Sequence, residues 1–419
     1  MQVSDLIKTL IGPDTVLPIR IEAYDGSGTG PTDSETTINI KSPKAIHRII
    51  TARGQEIGFS RAIVAGEIDI EGDIYGIFKI NRALKDIKIN WEAVRGASKL
   101  LGIKSPKDFS KLKPLDPPPE EITPKGKLHS KARDKEVVSG HYDASNEFYE
   151  KILDGTWTYS CGIFNSEDDS LQQAQDNKHD LICRKLNLQP GQRHLDIGCG
   201  WGSMAIHAAK NYGVSTLGVT LSEEQAIMAR QRVEEAGLSD KIEIRIQDYR
   251  EIPDDPFDAI SSIGMAEHVG GPHQMTKYFS TVRELLKPEG RYLNHAIGQA
   301  AGQTIASKGG FIQKYVFPDG RLHEFGSTIT MLQNSGFEAR HAETFRLHYA
   351  KTLRRWVTAL EENWDFAVDE VGEGRAKVWW IYMAGSAVAF ELGEIELHHV
   401  LGIRNDAPNE SIPILPDWT

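Results

Sequence analysis

The stretch from Arg193 to Ser203, RHLDIGCGWGS, decides the fold. It begins as an apolar strand and ends in a turn that contains Gly198, Gly200 and Gly202. Glycine has no Cβ, so such a turn lets a ligand approach the backbone closely. A triphosphate-binding turn carries Lys and Ser or Thr after its last glycine, and a dinucleotide-binding turn has the spacing GxGxxG. Neither pattern is present. The stretch therefore predicts a ligand without a phosphate at this turn; the alternative is a plain tight turn between a strand and a helix.

The sequence around this turn alternates between strands and helices. Further strands are predicted at VSTLGVTLS, KIEIRIQDY, FDAISSIGM and RYLNHAIG, and helices at WGSMAIHAAKNYG, SEEQAIMARQRVEEAG and HQMTKYFSTVRELLKPEG. Alternating units of this kind form parallel, doubly wound sheets whose ligands lie beyond the carboxyl ends of the strands. We therefore predict an α/β, Rossmann-like fold. Beyond residue 300, segments rich in Trp, Phe and Ala predict long helices.

Three strand ends carry side chains suited to an amino acid joined to a nucleoside. The first strand ends in an aspartate that can meet an ammonium group. The second offers no carboxylate to a ribose diol, so that contact must be made differently. The third offers a carboxylate for an adenine amino group beside an aromatic ring. The residues at these ends are Asp196, Thr220, Leu221, Gln225, Asp248 and Tyr249.

Composition divides the chain into three parts. Residues 113–136, KPLDPPPEEITPKGKLHSKARDKE, are rich in proline and charge and predict a semi-rigid linker. Residues 1–112 alternate short strand-like and helical runs and predict a small α+β domain. Residues 137–419 hold the glycine turn and the hydrophobic C-terminal segments, and predict the catalytic domain.

Bulk composition excludes several classes of protein. The net charge of -11 over 419 residues excludes a global basic footprint for nucleic acid. The three cysteines, Cys161, Cys183 and Cys199, form no CxxC pair, which argues against a disulfide framework or a structural zinc site. Glu267 and His268 are adjacent but have no third ligand at a suitable spacing, so no metal is predicted. We see no signal peptide and no long apolar run, and the expected location is the cytoplasm.

Beyond these patterns, an ordered set of motifs resembles a known family. HYDASNEFYEKILDGTWTYSCGIF, LDIGCGWGS, GVTLSEEQ, QDYR, GMAEHVG and FPDGRLHEFG resemble the cyclopropane fatty acid synthase family of S-adenosylmethionine-dependent methyltransferases, over roughly residues 137–400. The segments HYAKTLRRWVTALEENWD and VWWIYMAGSAVAFELGEIELHHVL are more similar to the actinobacterial branch, some of which makes 10-methylene chains. The resemblance implies a class I methyltransferase domain. It also implies that S-adenosylmethionine binds at the glycine turn, with Tyr159 and Ser160 nearby.

The resemblance further implies the reaction. Methyl transfer to an isolated cis double bond leaves a carbocation on the neighbouring carbon. Proton loss from the new methyl group closes a cyclopropane, whereas a hydride shift before proton loss gives a methylene group. Either route needs a base in a dry, apolar pocket with aromatic faces that steady the cation. The sequence does not choose between the two products.

In this family the base is a bound bicarbonate ion. By resemblance its holders are Cys161, Glu267, His295, the backbone of Ile297, and Tyr349. Thiol, imidazole and phenol groups can donate to an anion, and a carboxylate can accept the bicarbonate hydroxyl. Taken singly, Cys161, His295 and Tyr349 are more typical of buried packing residues than of a site.

The implied substrate is a phospholipid with an unsaturated acyl chain, reached from the inner face of the membrane. The C-terminal helices would line the acyl chain, or they are ordinary core. The basic residues of KGKLHSKARDK would meet anionic lipid head groups, or they form a solvated surface. The small first domain would serve lipid binding or a homodimer, which is common in the family. Two other functions stay open: a methyltransferase for a soluble small molecule, and a non-catalytic lipid-binding protein.

Overall fold

The protein is described from a computed structural model. The described residues are 1–12, 15–52, 55–83, 91–103, 112–126, 128, 130, 133–134, 145–303, 310–406 and 418. The chain divides into two compact units. The first contains Met1–Thr123, Ala306–Val316 and Ala367–Val388, and the second contains Pro124–Ile305, Phe317–Phe366 and Ala389–Thr419.

The first unit contains a small four-stranded sheet and several helices. In the sheet order β2-β1-β3-β4, β1 runs parallel to β3 and the other two pairs are antiparallel. The elements in chain order are α1 (Val3–Ile11), β1 (Arg20–Ala23), β2 (Gly28–Thr29), β3 (Thr36–Ile40), α2 (Pro43–Thr51), α3 (Gln55–Val64), β4 (Ile68–Gly72), α4 (Gly76–Ala83) and α5 (Trp91–Leu100). One of the unit's strand-like runs, AIVAGEIDI (residues 62–70), is only partly a strand, because its first three residues end α3 and its last three begin β4.

The proline-rich segment is fastened to the first unit along part of its length. Glu121 forms ion pairs with Arg61 at 2.8 Å and with Lys314 at 3.0 Å. The backbone amide of Ile122 also donates to the carbonyl oxygen of Lys314 at 2.7 Å. Residues 113–123 therefore pack as part of the first unit, although their composition predicted a linker.

The second unit is built on the predicted doubly wound sheet. Its strand order is β11-β12-β9-β8-β5-β6-β7, and β10 pairs with β9. The strands are β5 (Arg193–Ile197), β6 (Ser215–Thr220), β7 (Ile242–Ile246), β8 (Phe257–Ile263), β9 (Leu286–Gln299), β10 (His323–Glu324), β11 (Glu338–Thr344) and β12 (Ile395–Ile403). The strands from β5 to β9 run parallel, as the alternating pattern predicted, and the order reverses beside β5.

Further helices complete the chain. They are α6 (Asn146–Ile152), α7 (Leu171–Leu186), α8 (Ser203–Tyr212), α9 (Glu223–Glu235), α10 (Pro272–Glu284), α11 (Phe311–Tyr315), α12 (Phe325–Asn334), α13 (Arg346–Glu362), α14 (Trp364–Val371) and α15 (Glu373–Leu392). Of these, α11, most of α14 and most of α15 belong to the first unit. Ser222 caps α9 by accepting from the backbone amide of Gln225. Among the described residues, no helix is long and apolar enough to cross a membrane.

The C-terminal region differs from the sequence prediction in two respects. Strands β11 and β12 were not predicted, and β12 extends the sheet by pairing antiparallel with β9. Most of α15 belongs to the first unit, so the predicted catalytic region 137–419 is not one continuous body. Trp356, Trp379 and Trp380 are buried.

Candidate active site

The glycine turn joins β5 to α8 and requires glycine for its backbone conformation. Gly198, Gly200 and Gly202 have φ angles of 78°, 54° and 82°, which side chains rarely permit. A Cβ added at Gly200 would meet no described atom within 4 Å, whereas one at Gly202 would approach Ala229 at 3.4 Å. The backbone at Gly200 therefore borders open space, as a ligand-binding turn needs.

Asp196 lies at the end of β5 and is held by a buried network. Ser261 on the neighbouring strand β8 donates to its carboxylate at 2.7 Å, and His194 contacts the same hydroxyl at 3.0 Å. Burial raises the pKa of Asp196 to about 6, while the Ser261 hydrogen bond and the charge of Lys178 lower it. An ammonium group beside this carboxylate would favour its ionised form.

The end of β6 forms a compact polar cluster. Thr220 donates from its hydroxyl to the amide oxygen of Gln225 at 2.9 Å and accepts from the backbone of Ser222 at 3.2 Å. Thr220 and Gln225 are buried, and Leu221 between them is partly exposed. This strand end offers neutral hydrogen-bonding groups, as its sequence predicted.

The carboxylate of Asp248 has a partner that sequence reasoning missed. Arg250 donates to it from Nε at 2.8 Å and from Nη2 at 2.5 Å, and also pairs with Asp134 at 3.1 Å. The Arg250 guanidinium lies over the ring of Tyr249, 5.6 Å from its centroid. A ligand at Asp248 would share the carboxylate with Arg250. The motif QDYR carried the signal, since an arginine two residues after an aspartate can fold back on it.

A buried lysine links the predicted cofactor and base residues. Lys178 on α7 is fully buried and donates to the hydroxyl of Ser160 at 2.8 Å. Burial lowers the pKa of Lys178 to about 7, while the nearby Cys161 and Asp196 raise it. Its position inside a helix gave no signal in the sequence, because helical lysines are ordinarily exposed.

The segment that carries Tyr159 and Cys161 packs against α13. The amide of Gly162 donates to the hydroxyl of Thr352 at 3.0 Å, and the ring of Tyr159 lies 5.4 Å from that of Trp356. The Cys161 thiol donates to the carbonyl oxygen of Gly162 at 3.2 Å, and burial raises its pKa. Cys161 is therefore a protonated thiol and not a thiolate nucleophile.

Tyr349 lies on the helix face that receives this segment. It precedes Thr352 by three residues on α13, so both side chains project from the same side of the helix. Its buried ring packs against Phe390 at 4.7 Å and edge-on against Trp356 at 6.1 Å. Tyr349 and the segment that carries Cys161 therefore lie on the same face of α13.

Glu267 and Ile297 are in direct contact. The backbone amide of Ile297 on β9 donates to Oε1 of Glu267 at 2.7 Å. The other oxygen, Oε2, is buried and has no hydrogen-bond partner among the described residues. Burial raises the pKa of Glu267 to about 7, although the Ile297 hydrogen bond lowers it. The resemblance implied that the Ile297 amide binds the anion. In this arrangement the amide instead orients the Glu267 carboxylate.

His295 lies two residues before Ile297, on the same face of β9. It is buried, and its Nδ1 contacts Nε2 of His399 on β12 at 2.9 Å. Burial lowers the pKa of both histidines well below the ordinary value, so both rings are neutral near pH 7. His399 was missed from the sequence, because strand β12 was not predicted.

Comparisons with known proteins bear on the family of this chain. The family model described as mycolic acid cyclopropane synthetase matches residues 129–400. A probable fatty acid methyltransferase of Mycobacterium tuberculosis is 42% identical over 413 residues, covering 96% of this chain and 95% of that protein. The cyclopropane-fatty-acyl-phospholipid synthase of Escherichia coli K12 is 39% identical over 281 residues, covering 66% of this chain and 71% of that protein.

A solved structure matches the fold of part of this chain and bears on the cofactor. The mycolic acid cyclopropane synthase CmaA1, complexed with SAH and CTAB, has a TM-score of 0.61 and 33% identity, covering 64% of this chain and 98% of that chain. The open glycine turn and the buried Asp196 fit the adenosyl and amino-acid parts of the same kind of ligand. The chain belongs to the cyclopropane fatty acid synthase family, and it is a class I methyltransferase that uses S-adenosylmethionine.

Proposed function

We propose that the protein transfers a methyl carbon to the cis double bond of an unsaturated phospholipid acyl chain, with a bound bicarbonate ion as the base. The product is a cyclopropane or a methylene chain. The observation that carries this proposal is the carboxylate oxygen Oε2 of Glu267, which is buried without a partner among the described residues. An unpaired buried acceptor calls for a donor from a ligand, because leaving it unpaired costs free energy.

The cofactor would lie across the carboxyl ends of β5, β6 and β7. When bound, S-adenosylmethionine supplies an electrophilic methyl group on its sulfonium. The protein's own residues hold and orient it: the glycine turn admits close approach, Asp196 meets the ammonium group, and the β6 end meets the ribose. The full set is Tyr159, Ser160, Asp196, Gly198, Gly200, Gly202, Thr220, Leu221, Gln225, Asp248 and Tyr249.

The anion would be held by neutral donors and one acceptor. Bicarbonate supplies a small, exchangeable base that cannot be trapped permanently by the cation. Cys161, His295 and Tyr349 carry protons that can be donated to an anion, and Oε2 of Glu267 accepts the bicarbonate hydroxyl. Ile297 contributes by holding Oε1 of Glu267 at 2.7 Å.

The reaction balances with one proton released. The π electrons of the double bond would form the new bond to the methyl carbon, and the sulfonium would leave as a neutral thioether. The adjacent carbon becomes a cation. Loss of a proton from the new methyl group closes the ring, and loss after a hydride shift gives the methylene group. Buried aromatic rings such as Tyr349 and Trp356 offer faces that stabilise a passing cation.

The substrate assignment rests on the relatives and on the apolar helices. The Escherichia coli relative is named for fatty acyl phospholipids, and the solved relative holds the long-chain molecule named CTAB. The buried aromatic residues of α13 suit an acyl chain. We propose that the protein works at the inner face of the membrane, that the first unit aids lipid binding or dimer formation, and that no metal takes part.

The basic segment before α6 contributes fewer free cations to a lipid surface than its composition suggests. Arg133 forms a two-pronged ion pair with Asp319 at 2.7 Å, and both side chains are largely buried. Lys127, Lys131 and Lys135 lie outside the described residues. An attraction to anionic head groups would therefore depend on the remaining lysines.

Lipid mass spectrometry after expression in a host without modified fatty acids tests the proposal. We expect acyl chains heavier by one CH2 unit, and ozonolysis or fragmentation then separates cyclopropane from methylene products. A small-molecule methyltransferase would leave the lipids unchanged yet consume S-adenosylmethionine with a soluble acceptor. Unchanged lipids and no consumption would favour a non-catalytic lipid-binding protein.

A further inference from the structure

A continuous chain of hydrogen bonds runs from the surface to His295. Glu343 pairs with Lys185 at 2.7 Å, Lys185 contacts Nδ1 of His399 at 3.1 Å, and Nε2 of His399 contacts Nδ1 of His295 at 2.9 Å. Lys185 and both histidines are buried, whereas the side chain of Glu343 is 41% exposed. These residues belong to α7, β11, β12 and β9 of one unit.

The ion pair with Glu343 supports the charged form of Lys185 against a net lowering of its pKa by burial. Its burial lowers the pKa, while the hydrogen bond and the charge of Glu343 raise it. The Lys185 ammonium also lies 5.1 Å from the centre of the Phe345 ring, and that ring packs 4.7 Å from the ring of His399. An ammonium group can only donate hydrogen bonds. The direction of each hydrogen bond between Lys185, His399 and His295 therefore follows from it.

The donor and the acceptor of each hydrogen bond follow one after the other from Lys185. Lys185 donates to Nδ1 of His399, so the proton of the neutral His399 ring must be on Nε2. That Nε2–H donates to Nδ1 of His295, so the proton of the neutral His295 ring must also be on Nε2. Among the described residues, none forms a hydrogen bond with Nε2 of His295.

We propose that Lys185 and His399 are positioning residues that lock His295 as the Nε2–H tautomer, so that it presents a donor to the base-holding anion. The alternative tautomer would turn a lone pair towards an anion and repel it. This inference rests on the proposed bicarbonate function for its consequence, but the tautomer itself can be measured without turnover.

The test uses the full chain labelled with 15N-histidine. Long-range proton–nitrogen NMR distinguishes the two tautomers, and a His295→Gln spectrum assigns the signal. We expect wild-type His295 to carry its proton on Nε2. Lys185→Met removes the donor that begins the chain, so His295 should become a mixture of tautomers. His399→Gln can still accept from Lys185 and donate an N–H to His295, so this variant should keep the wild-type tautomer.

Activity gives the second readout. We expect Lys185→Met to raise the bicarbonate concentration for half-maximal activity roughly tenfold, on the scale of one hydrogen bond to a charged group. S-adenosylmethionine affinity by calorimetry should stay unchanged. His341→Gln is the matched control, because His341 contacts Glu343 at 3.3 Å but is not one of the residues that link Glu343 to His295 by hydrogen bonds.

The outcomes separate this inference from the proposed function. The positioning role of Lys185 and His399 is overturned if wild-type His295 carries its proton on Nδ1. It is also overturned if the Lys185→Met variant keeps both the wild-type tautomer and the wild-type bicarbonate dependence. Wild-type activity that is indifferent to bicarbonate overturns the proposed base, while the NMR result still decides the tautomer.

A second, independent observation concerns three ligand-type side chains on α7 and α8. Asp176, His179 and His207 each offer one donor atom, and these atoms all lie within 4.8 Å of one another. The two imidazole rings are 5.6 Å apart, and Nε2 of His207 is buried with no hydrogen-bond partner among the described residues.

From this cluster we infer a binding site for a divalent transition-metal ion such as Zn²⁺ or Ni²⁺. Two imidazoles and a carboxylate are donors that these ions prefer, and an ion would satisfy the buried nitrogen of His207. The ion would join α7, which carries Lys178, to α8, which follows the glycine turn. It would therefore stabilise the framework of the cofactor site without entering the reaction.

Calorimetric titration of the full chain with Zn²⁺ and Ni²⁺ tests the site. We expect micromolar or tighter binding, a rise in Tm with metal concentration, and loss of both in His207→Leu and His179→Leu. His341→Gln is the control, since it removes a histidine beside Glu343, and this pair has no third metal-ligand side chain nearby in the part of the chain that the structure describes. Millimolar binding, or binding unchanged in both leucine variants, overturns the site.

Discussion

The backbone amide of Ile297 donates to Oε1 of Glu267 at 2.7 Å, whereas Oε2 is buried with no hydrogen-bond partner among the described residues. Strand β9 thus fixes the orientation of the carboxylate, which follows β8 in a short 3-10 turn. Burial of the pair raises the pKa of Glu267 to about 7. Small changes of charge at this carboxylate should therefore be visible in both activity and stability.

Replacing Glu267 with glutamine should remove the charge and keep the shape. The amide oxygen of the substituted side chain can still accept from Ile297, but the group no longer orients the hydroxyl of an anion as a carboxylate does. We expect turnover to fall by roughly a hundredfold or more, on the scale of general acid–base effects. Calorimetry should give nearly normal S-adenosylmethionine affinity. Full activity in a folded Glu267→Gln variant would remove Glu267 from the proposed mechanism.

The same substitution should stabilise the protein at alkaline pH. Folding raises the pKa of the Glu267 carboxyl group from 4.5 to about 7. The protonated group therefore contributes to the stability of the folded state below pH 4.5, and this contribution is lost as the pH rises through about 7. At pH 8 the Glu267→Gln variant should exceed the wild type by at most about 3 kcal/mol in free energy of unfolding. At pH 5 the two should be nearly equal. Urea titrations at both pH values measure the difference, and an equal difference at both would contradict the raised pKa.

A side chain at Gly200 should abolish cofactor binding. Gly200 has a φ of 54° and borders open space, so a valine there would both strain the turn and enter the space of the ligand. We expect no measurable S-adenosylmethionine binding by calorimetry for Gly200→Val. Gly191→Val is the control, because Gly191 has a φ of 83° and open space but lies before β5, away from the turn's ligand face. Unchanged affinity in a folded Gly200→Val variant would put the cofactor elsewhere.

Removal of dissolved carbonate should slow the enzyme. The predicted anion is bounded by Cys161, Glu267, His295 and Tyr349, none of which is a strong base by itself near pH 7. We expect activity to fall in carbonate-free buffer and to recover when bicarbonate is restored. A crystal structure should then contain a planar three-oxygen density, or a mimic such as sulfate, among these side chains. Activity that is independent of carbonate would leave the base unidentified.

Local sequence determined the framework of the cofactor site. The strands from β5 to β9, the intervening helices and the position of the glycine turn were all predictable, because hydrophobic periodicity and glycine spacing act over a few residues. The strand ends at Asp196, Thr220 and Asp248 followed from the same pattern, since parallel strands bring their carboxyl ends to one edge. The ordered motifs added the family and the cofactor.

The partners of those residues were decided only by the tertiary structure. Ser261 beside Asp196, Ile297 on Glu267 and Lys178 on Ser160 depend on contacts between elements distant in the sequence, and no local pattern specifies them. Strand β12 was missed because it is antiparallel and, among the described residues, is not followed by a helix, so it does not belong to the repeating βα units on which the prediction relied. Its pairing with β9 brings His399 to His295. Burial, which raises the pKa of Glu267 and lowers those of the histidines, arises only when these elements pack together and exclude water.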